Sequence, residues 1–395
     1  MNPTADRTRP SRRAFIRLLG GGAVLAAAGS TGGCSTDMPA VAVQPWDQAA
    51  REQDLRRFVL AHALLAPNPH NRQPWIADLR EPGLIHLICD GQRLLPETDP
   101  FGRQILIGCG AFLEVAALAA TARGVAATVT LFPDGPPAPG QPLAASGVRV
   151  ATIALGAAGS AATDPLFAAV PRRHTNKTAY DNARTLPAAL QGAWGDTAGR
   201  FGMRWGVAAG DAAMAPIRRI TREAYEIEAL TPRTWLESAR LMRIGPEAIA
   251  THRDGISLNS RMARMAHAVG MFDPMKVPQR GDSSMKQVMD HWMAAETGSG
   301  YLWLAGPDAS RATQVAAGRA YVRMHLQATA AGVDMHPLSQ ALQEFAEVRG
   351  PYDALHRQLG ADPAVAPLQM LARVGFALAP SGPSPRRPLE ALLRA

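Results

Sequence analysis

Two short segments carry side chains whose types suit the binding of a polar, anionic ligand. Arg173-His174-Thr175-Asn176-Lys177 combines a guanidinium, a hydroxyl and an ammonium within five residues. A planar arginine fork matches phosphate or a pair of ring acceptors, and lysine adds a mobile point charge. Pro67-Asn68-Pro69-His70-Asn71-Arg72-Gln73-Pro74-Trp75 is a proline-punctuated loop that sets two amide side chains, Asn68 and Asn71, in a stiff frame. A further basic pair, Arg386-Arg387, lies near the C-terminus. Each has a purely structural reading beside it. Arg172–Arg173 could be solvated surface charge, Asn68 and Asn71 turn caps around Pro69, and Arg386–Arg387 a basic tail. His70 and His174 could serve as loop hydrogen-bonders, and Trp75 as a core anchor at a strand entry.

Other chemistries find no support in the pattern. No G-x-S-x-G or paired catalytic carboxylates stand out, and no G-x-G-x-x-G follows a strand. No C-x-x-C or H-E-x-x-H occurs, so a metal site is not expected. Of the net charge of +8, the first 42 residues supply five arginines against two aspartates, leaving +5 on the rest. That mild basicity forms no stripe with interleaved aromatics, which argues for an anionic small molecule rather than a nucleic acid. Of the three cysteines, Cys89 and Cys109 sit in apolar runs as buried thiols, and spacing leaves a disulfide between them open.

The N-terminus reads as an address. Ser11-Arg12-Arg13-Ala14-Phe15-Ile16-Arg17 precedes the uncharged run Leu18 to Ala28, the order of a twin-arginine export signal. That run is too short for a confident membrane span, and none is expected in the mature chain. Ala40-Val41-Ala42 offers a cleavage site that would start the mature chain near Val43, in the periplasm. Lipid attachment at Cys34 is the rival reading. Twin-arginine export carries folded proteins, often around a cofactor.

The elements that must position these segments follow from periodicity and punctuation. A helix is expected over Asp47 to Leu65, strands at 76–79, 84–89, 127–132 and 148–155, and a long helix from Pro100 to Arg123 capped by Asp99. Gly110 to Val125 aligns without gaps on Gly318 to Val333, at an offset of 208, with seven identities in sixteen. Two unrelated alanine-rich helices would give some of that. An ancestral domain duplicated and fused would give all of it. The stretch 203–293 holds ten of the fifteen methionines and is expected to be a helical insertion, a lid or an ordinary subdomain. The chain divides accordingly into 1–42 as signal, 43–160 as first lobe and 161–395 as second lobe.

The two polar segments resemble the R-x-S-x-K/R and P-S-x-x-N-x-Q-P-W signatures of nitroreductase-type flavoproteins, and the arrangement resembles the Acg-like branch of that family. The likeness covers roughly residues 55–132, 165–190 and 300–392. It implies an α+β nitroreductase-like fold with two fused, pseudo-dimeric lobes, each a central antiparallel sheet flanked by helices. It also implies one FMN site where the two segments meet, and a fused chain is expected to be a monomer. The implied site residues are Asn68, Pro69 and Asn71 from the first lobe, with Arg173, His174, Thr175, Lys177, Ser339, Gln340 and Arg386 from the second. Arg173, Thr175 and Arg386 would clasp the phosphate, Lys177 would stand near the ring's N1–O2 edge, and Asn68 and Asn71 would bond the ring or ribityl chain. No residue is assigned as catalytic, because the hydride chemistry belongs to the flavin. The implied activity is reduction of nitroaromatics, quinones or similar small-molecule acceptors, with NAD(P)H or another donor. The alternative is a protein that holds FMN under a lid with little turnover. Ser339-Gln340 replaces the family's usual Glu-Gly, and Asn68 its usual Ser.

Overall fold

The computed structural model describes residues 37–394; the twin-arginine segment, Cys34 and residue 395 lie outside them. The first lobe opens with α1 (Ala40–Gln48) and α2 (Leu55–Ala63). One helix was expected over this stretch. The chain instead breaks near Glu52 and restarts where the Asp54 carboxylate accepts the Arg57 amide (3.0 Å). Ala42, in the expected cleavage site, is buried in α1, and its carbonyl accepts the Arg386 amide (2.8 Å).

Strands β1 (Trp75–Asp78) and β2 (Leu84–Cys89) lead to α3 (Arg103–Ala122), and β3 (Ala127–Leu131) and β4 (Val148–Leu155) complete a sheet of order β1-β2-β4-β3 with antiparallel neighbours. Asp99 caps α3 as expected, accepting the Gln104 and Ile105 amides, although Gly102, at φ 69°, delays the first helical residue to Arg103. α3 is long and apolar enough to cross a membrane, but 83% of its apolar window is buried, so it is a core helix. Cys89 and Cys109 are free and buried against each other.

The second lobe repeats this plan. Helix α4 (Ala188–Arg200) precedes β5 (Arg204–Ala208). A long excursion follows, built of α5 (Asp211–Leu230), α6 (Pro232–Arg240), β6 (Met242–Ile244), α7 (Gly245–His252), β7 (Ile256–Leu258), α8 (Arg261–Ala268) and α9 (Ser283–Trp292). Then come β8 (Gly300–Ala305), α10 (Arg311–Ala330), β9 (Asp334–Pro337), α11 (Arg349–Gln358) and β10 (Leu368–Gly375). The sheet order is β5-β8-β10-β9, again antiparallel throughout, so each strand has its counterpart in the first lobe. The methionine-rich stretch therefore begins with a sheet strand, and the excursion proper fills 209–299. It replaces the turn at 79–83 that joins β1 to β2.

The two lobes meet where α3 crosses α10. A Cβ on Gly110 would stand 2.0 Å from the Val315 carbonyl oxygen, and one on Gly318 would stand 1.9 Å from that of Ile107. Gly110 and Gly318, like Ile107 and Val315, are related by the 208 offset, so the contact is reciprocal about a pseudo-dyad. The repeat also reaches further back than the sequence alignment. Arg103 donates to the Gln369 carbonyl (2.8 Å) in the second lobe, and Arg311, at the equivalent position, donates to the Phe101 carbonyl (2.7 Å) in the first. Buried Glu114 on α3 takes both Arg319 (2.9 Å) and Arg323 (3.0 Å) from α10. The C-terminal segment then returns to the first lobe, where the Ala77 amide donates to the Leu392 carbonyl (2.7 Å) and the Arg394 amide to Ala77 (2.9 Å), covering the free edge of β1.

Glycine to alanine inside a helix ordinarily stabilises by about 1 kcal/mol. At Gly110 and Gly318 the sign reverses, because the obstacle is backbone of the partner helix. Gly318→Ala and Gly110→Ala are each expected to lower the Tm by roughly 10 °C or to abolish soluble protein. Gly192→Ala in α4, where a Cβ meets nothing within 4 Å, should hold or raise the Tm. Thermal melts of the three variants decide it.

Candidate functional site

Residues 64–74 link α2 to β1 through a strained loop. His70 (φ 47°), Asn71 (φ 49°) and Gln73 (φ 48°) all occupy the left-handed region, at a cost of about 1 kcal/mol or more each. The side chains around them hold that shape. Asn68 Oδ1 accepts the Gln73 amide (2.7 Å), and its Nδ2 donates to the Ala66 carbonyl (3.2 Å). Asn71 Nδ2 donates to the Pro385 carbonyl (2.9 Å), and its Oδ1 accepts from Arg386 (2.9 Å). Fully buried Gln73 donates to the Arg253 carbonyl (2.9 Å) and accepts the Arg387 amide (2.8 Å). Pro69 opens a short 3-10 turn and lies against Gly108 of α3, where a Cβ would come within 3.2 Å of its ring. The amides expected to face a ligand are thus committed to the loop itself. Sequence gives a donor's type but not its direction.

The other segment divides by the side of the chain each residue faces. His174 Nδ1 meets the Ser381 carbonyl (3.1 Å), and its ring packs edge-on against Trp46 at 5.2 Å. Asn176 Nδ2 donates to the Ala379 carbonyl (2.8 Å). Both line a recess with residues 377–381, away from the proline loop. Arg173 turns to the first lobe, where Nη2 donates to the Leu65 carbonyl (3.0 Å) and Nη1 is buried with no partner. Lys177 likewise lies close enough to His70 for its charge to act there. Thr175 falls between these two.

Arg386 was expected to complete a phosphate clasp, and in the structure its donors are engaged by the fold. Its Nε donates to the Leu64 carbonyl (2.8 Å) and its Nη2 to those of Leu65 (3.0 Å) and Ala66 (3.2 Å). Its Nη1 bonds Asn71, Ser384 (2.6 Å) and Pro385 (2.9 Å), so all five N–H groups are engaged. It ties the end of α2 to the C-terminal segment. Ser339 precedes a 3-10 turn over Gln340–Leu342, its carbonyl accepting the Leu342 amide (2.9 Å), and Gln340 Oε1 is buried without a partner. The structure thus brings Arg173 and Lys177 to the strained loop bearing His70, and it engages Asn68, Asn71, His174 and Arg386 in bonds within the fold.

The electrostatics of this meeting point are one-sided. Burial lowers Arg173 to about 10, and it drives Arg386 well below the usual guanidinium range with help from the Arg173 charge. His70 falls to about 4 through burial, then through Lys177 and Arg72. Beside the unpaired Arg173 Nη1, Tyr321 Oη and His325 Nδ1 on α10 are also buried without partners. Their charge coupling to Arg173 places all three in one neighbourhood. Two buried arginines with no carboxylate, together with the unspent donors Arg173 Nη1 and Tyr321 Oη, suit an anion with several acceptor oxygens.

Several contributors carried no motif. Arg373, in the fully buried β10, was a legible signal, since a charge inside a buried strand needs partners. His336, His291 and Glu228 gave none. Glu228 on α5 bonds Gln343 Nε2 (3.2 Å) and lies by Ser238 (3.5 Å), while Glu237 on α6 accepts the Glu97 and Thr98 amides (2.9 Å each). The excursion is thereby fastened to both lobes.

No family model matches the chain. A Mycobacterium tuberculosis protein provisionally named an NAD(P)H nitroreductase is 28% identical over 353 residues, covering 85% of this chain and 89% of its own length. The Acg protein of the same organism, provisionally named likewise, is 38% identical over 90 residues, which is 23% of this chain and 26% of that protein. Among solved structures, the FMN-dependent nitroreductase of Mycobacterium smegmatis in complex with NADPH aligns over 53% of this chain and 86% of its own. It does so at 16% identity and a TM-score of 0.33.

Burial raises Glu228 to about 7, with the Glu237 charge adding to the shift against the hydrogen bonds from Gln343 and Gln340. A carboxyl raised on folding stabilises fully below its unfolded value, near 4.5, and that contribution is lost as pH climbs through 7. Glu228→Gln is therefore expected to raise the Tm by a few degrees at pH 8, with the gain shrinking to nothing near pH 4.5. Melts across that range give the check, and a gain independent of pH would contradict it.

Proposed function

We propose that this chain is an exported FMN-dependent oxidoreductase of the nitroreductase type, with one flavin held between its two lobes. The reading rests chiefly on one observation. Arg173 and Lys177, opening the second lobe, face the strained loop of the first with unspent donors and no carboxylate partner. That donor set fits FMN: Arg173 and Thr175 would hold the phosphate, Lys177 the electron-rich ring edge, and the peptide groups of the rigid 68–73 loop the remainder. FMN, when bound, supplies the hydride chemistry. The protein's part is to fix the ring, exclude water and set its potential through the Lys177 charge. NAD(P)H appears in the relatives' names, so NAD(P)H is the proposed donor. Nitroaromatics, quinones or similar small molecules are the proposed acceptors. The paired arginines Arg12-Arg13 support export by the twin-arginine route to the periplasm.

A second reading keeps the flavin but not the turnover. The excursion is pinned to both lobes through Glu228 and Glu237, which favours a lid that holds FMN and restricts access to it.

Arg173→Ala should weaken FMN retention by about 10-fold or more, whereas His174→Ala, on the far side of the segment, should change it by no more than about 2-fold. Flavin fluorescence released by heat from the purified variants measures both, and equal retention would refute the assignment. Anaerobic NADPH added to the wild-type chain separates the two readings: a bleached flavin supports the reductase and a persistently oxidised one supports the holding protein.

A further inference from the structure

Next to the proposed flavin site lies a basic cluster of which only Lys177 has a part in flavin binding. Arg373 on β10 is fully buried and gathers it. Its Nε donates to His336 Nδ1 on β9 (3.1 Å), its Nη2 to the Thr178 carbonyl (2.8 Å), and its Nη1 to Thr297 Oγ1 (3.1 Å) and the Ala294 carbonyl. These bonds draw three segments around one point: His336, the residue that follows Lys177, and the turn after α9. His291 lies in the last turn of α9, the final helix of the excursion.

Lys177 and His291 are both exposed side chains, yet burial is the leading cause of a lowered pKa at each, and the Lys177 charge is felt at His291. Open surface and desolvation coincide where a side chain faces a recess walled by protein rather than bulk water. The charges that reach His336 are those of Arg373, Lys177 and His291, and none is acidic. At His70 they are Lys177 and Arg72. Of this group only Arg373 senses a carboxylate, that of Asp334. Lys177 itself has no hydrogen-bond or ion-pair partner among the described residues. A confined cluster of cations and imidazoles in which a carboxylate is felt only at Arg373 favours an anion, since a nearby opposite charge offsets the desolvation each group has suffered.

We infer that this recess binds a small carboxylate-bearing ligand, held by Lys177, His291 and His336 beneath the excursion. Given the flavin reading above, on which this part rests, the ligand is the electron acceptor, and the inserted helix selects it. His291 belongs to the 209–299 excursion, which has no counterpart in the first lobe, so the selectivity is specific to this side of the pseudo-dimer. Lys177 supplies charge, and the two imidazoles, kept neutral by their surroundings, supply directed N–H donors.

The test is titration of the FMN-loaded full chain with 4-nitrobenzoate and 4-nitrobenzamide, planar molecules of matched shape that differ in charge. Flavin absorbance and heat are followed together. The carboxylate should bind at least about 10-fold tighter, and His291→Ala should cut that ratio to about 2 with flavin content per chain unchanged. Equal affinities for the pair would overturn the anion inference while the bound flavin upholds the reading beneath it. A ratio that survives His291→Ala would overturn the role of the excursion. Should the chain take up no FMN, the flavin reading fails by that fact, and heats measured on the flavin-free chain decide the recess by the same 10-fold criterion.

Discussion

The crossing of α3 over α10 is the constraint on which everything else depends. Gly110 and Gly318 each let the opposite helix's backbone carbonyl approach to a distance that no side chain would permit. That closeness brings the helix starts within reach of the other lobe, so Arg103 and Arg311 can satisfy carbonyls across the divide. It also decides which loops meet. The segment that opens the second lobe is laid along the end of α2 in the first, and Arg173 bonds the Leu65 carbonyl. The meeting of segments from both lobes thus follows from a close backbone contact at two glycines.

A symmetric crossing should lay the same loops against each other twice, and local chain length makes the two sides differ. Between α2 and β1 the chain has residues 64–74, enough for a strained loop. Between α4 and β5 it has only 201–203, a tight turn. The reverse holds one step later, where β1 and β2 are joined by 79–83 but β5 and β8 by the whole excursion. One lobe kept the loop and the other gained the cover. Fusion into one chain permits this, because the two halves no longer have to be the same sequence.

Much of this was legible before the structure. The strands at 84–89 and 148–155, the long helix ending at Gly124 and the repeat could all be read from residue pattern, because burial imposes a period on apolar residues. Short β5 was missed: five residues containing Gly206 carry too little alternation to be told from a loop. The meeting of the two polar segments was also legible, but the duties within them were not. Asn68, Asn71 and Arg386 have the right chemistry for a ligand and use it on carbonyls and amides of the fold, a matter of side-chain direction. Arg373 and His291 lie outside any motif, and only the folded chain brings them to Lys177.

The central claim is that one fused chain forms one flavin site. The most direct measurement is flavin stoichiometry with native mass: purified protein reconstituted with FMN, weighed intact under non-denaturing conditions, with released flavin counted against chains. A single chain carrying a single FMN is the expected species. Two flavins per chain, or flavin found only in species containing two chains, would contradict it.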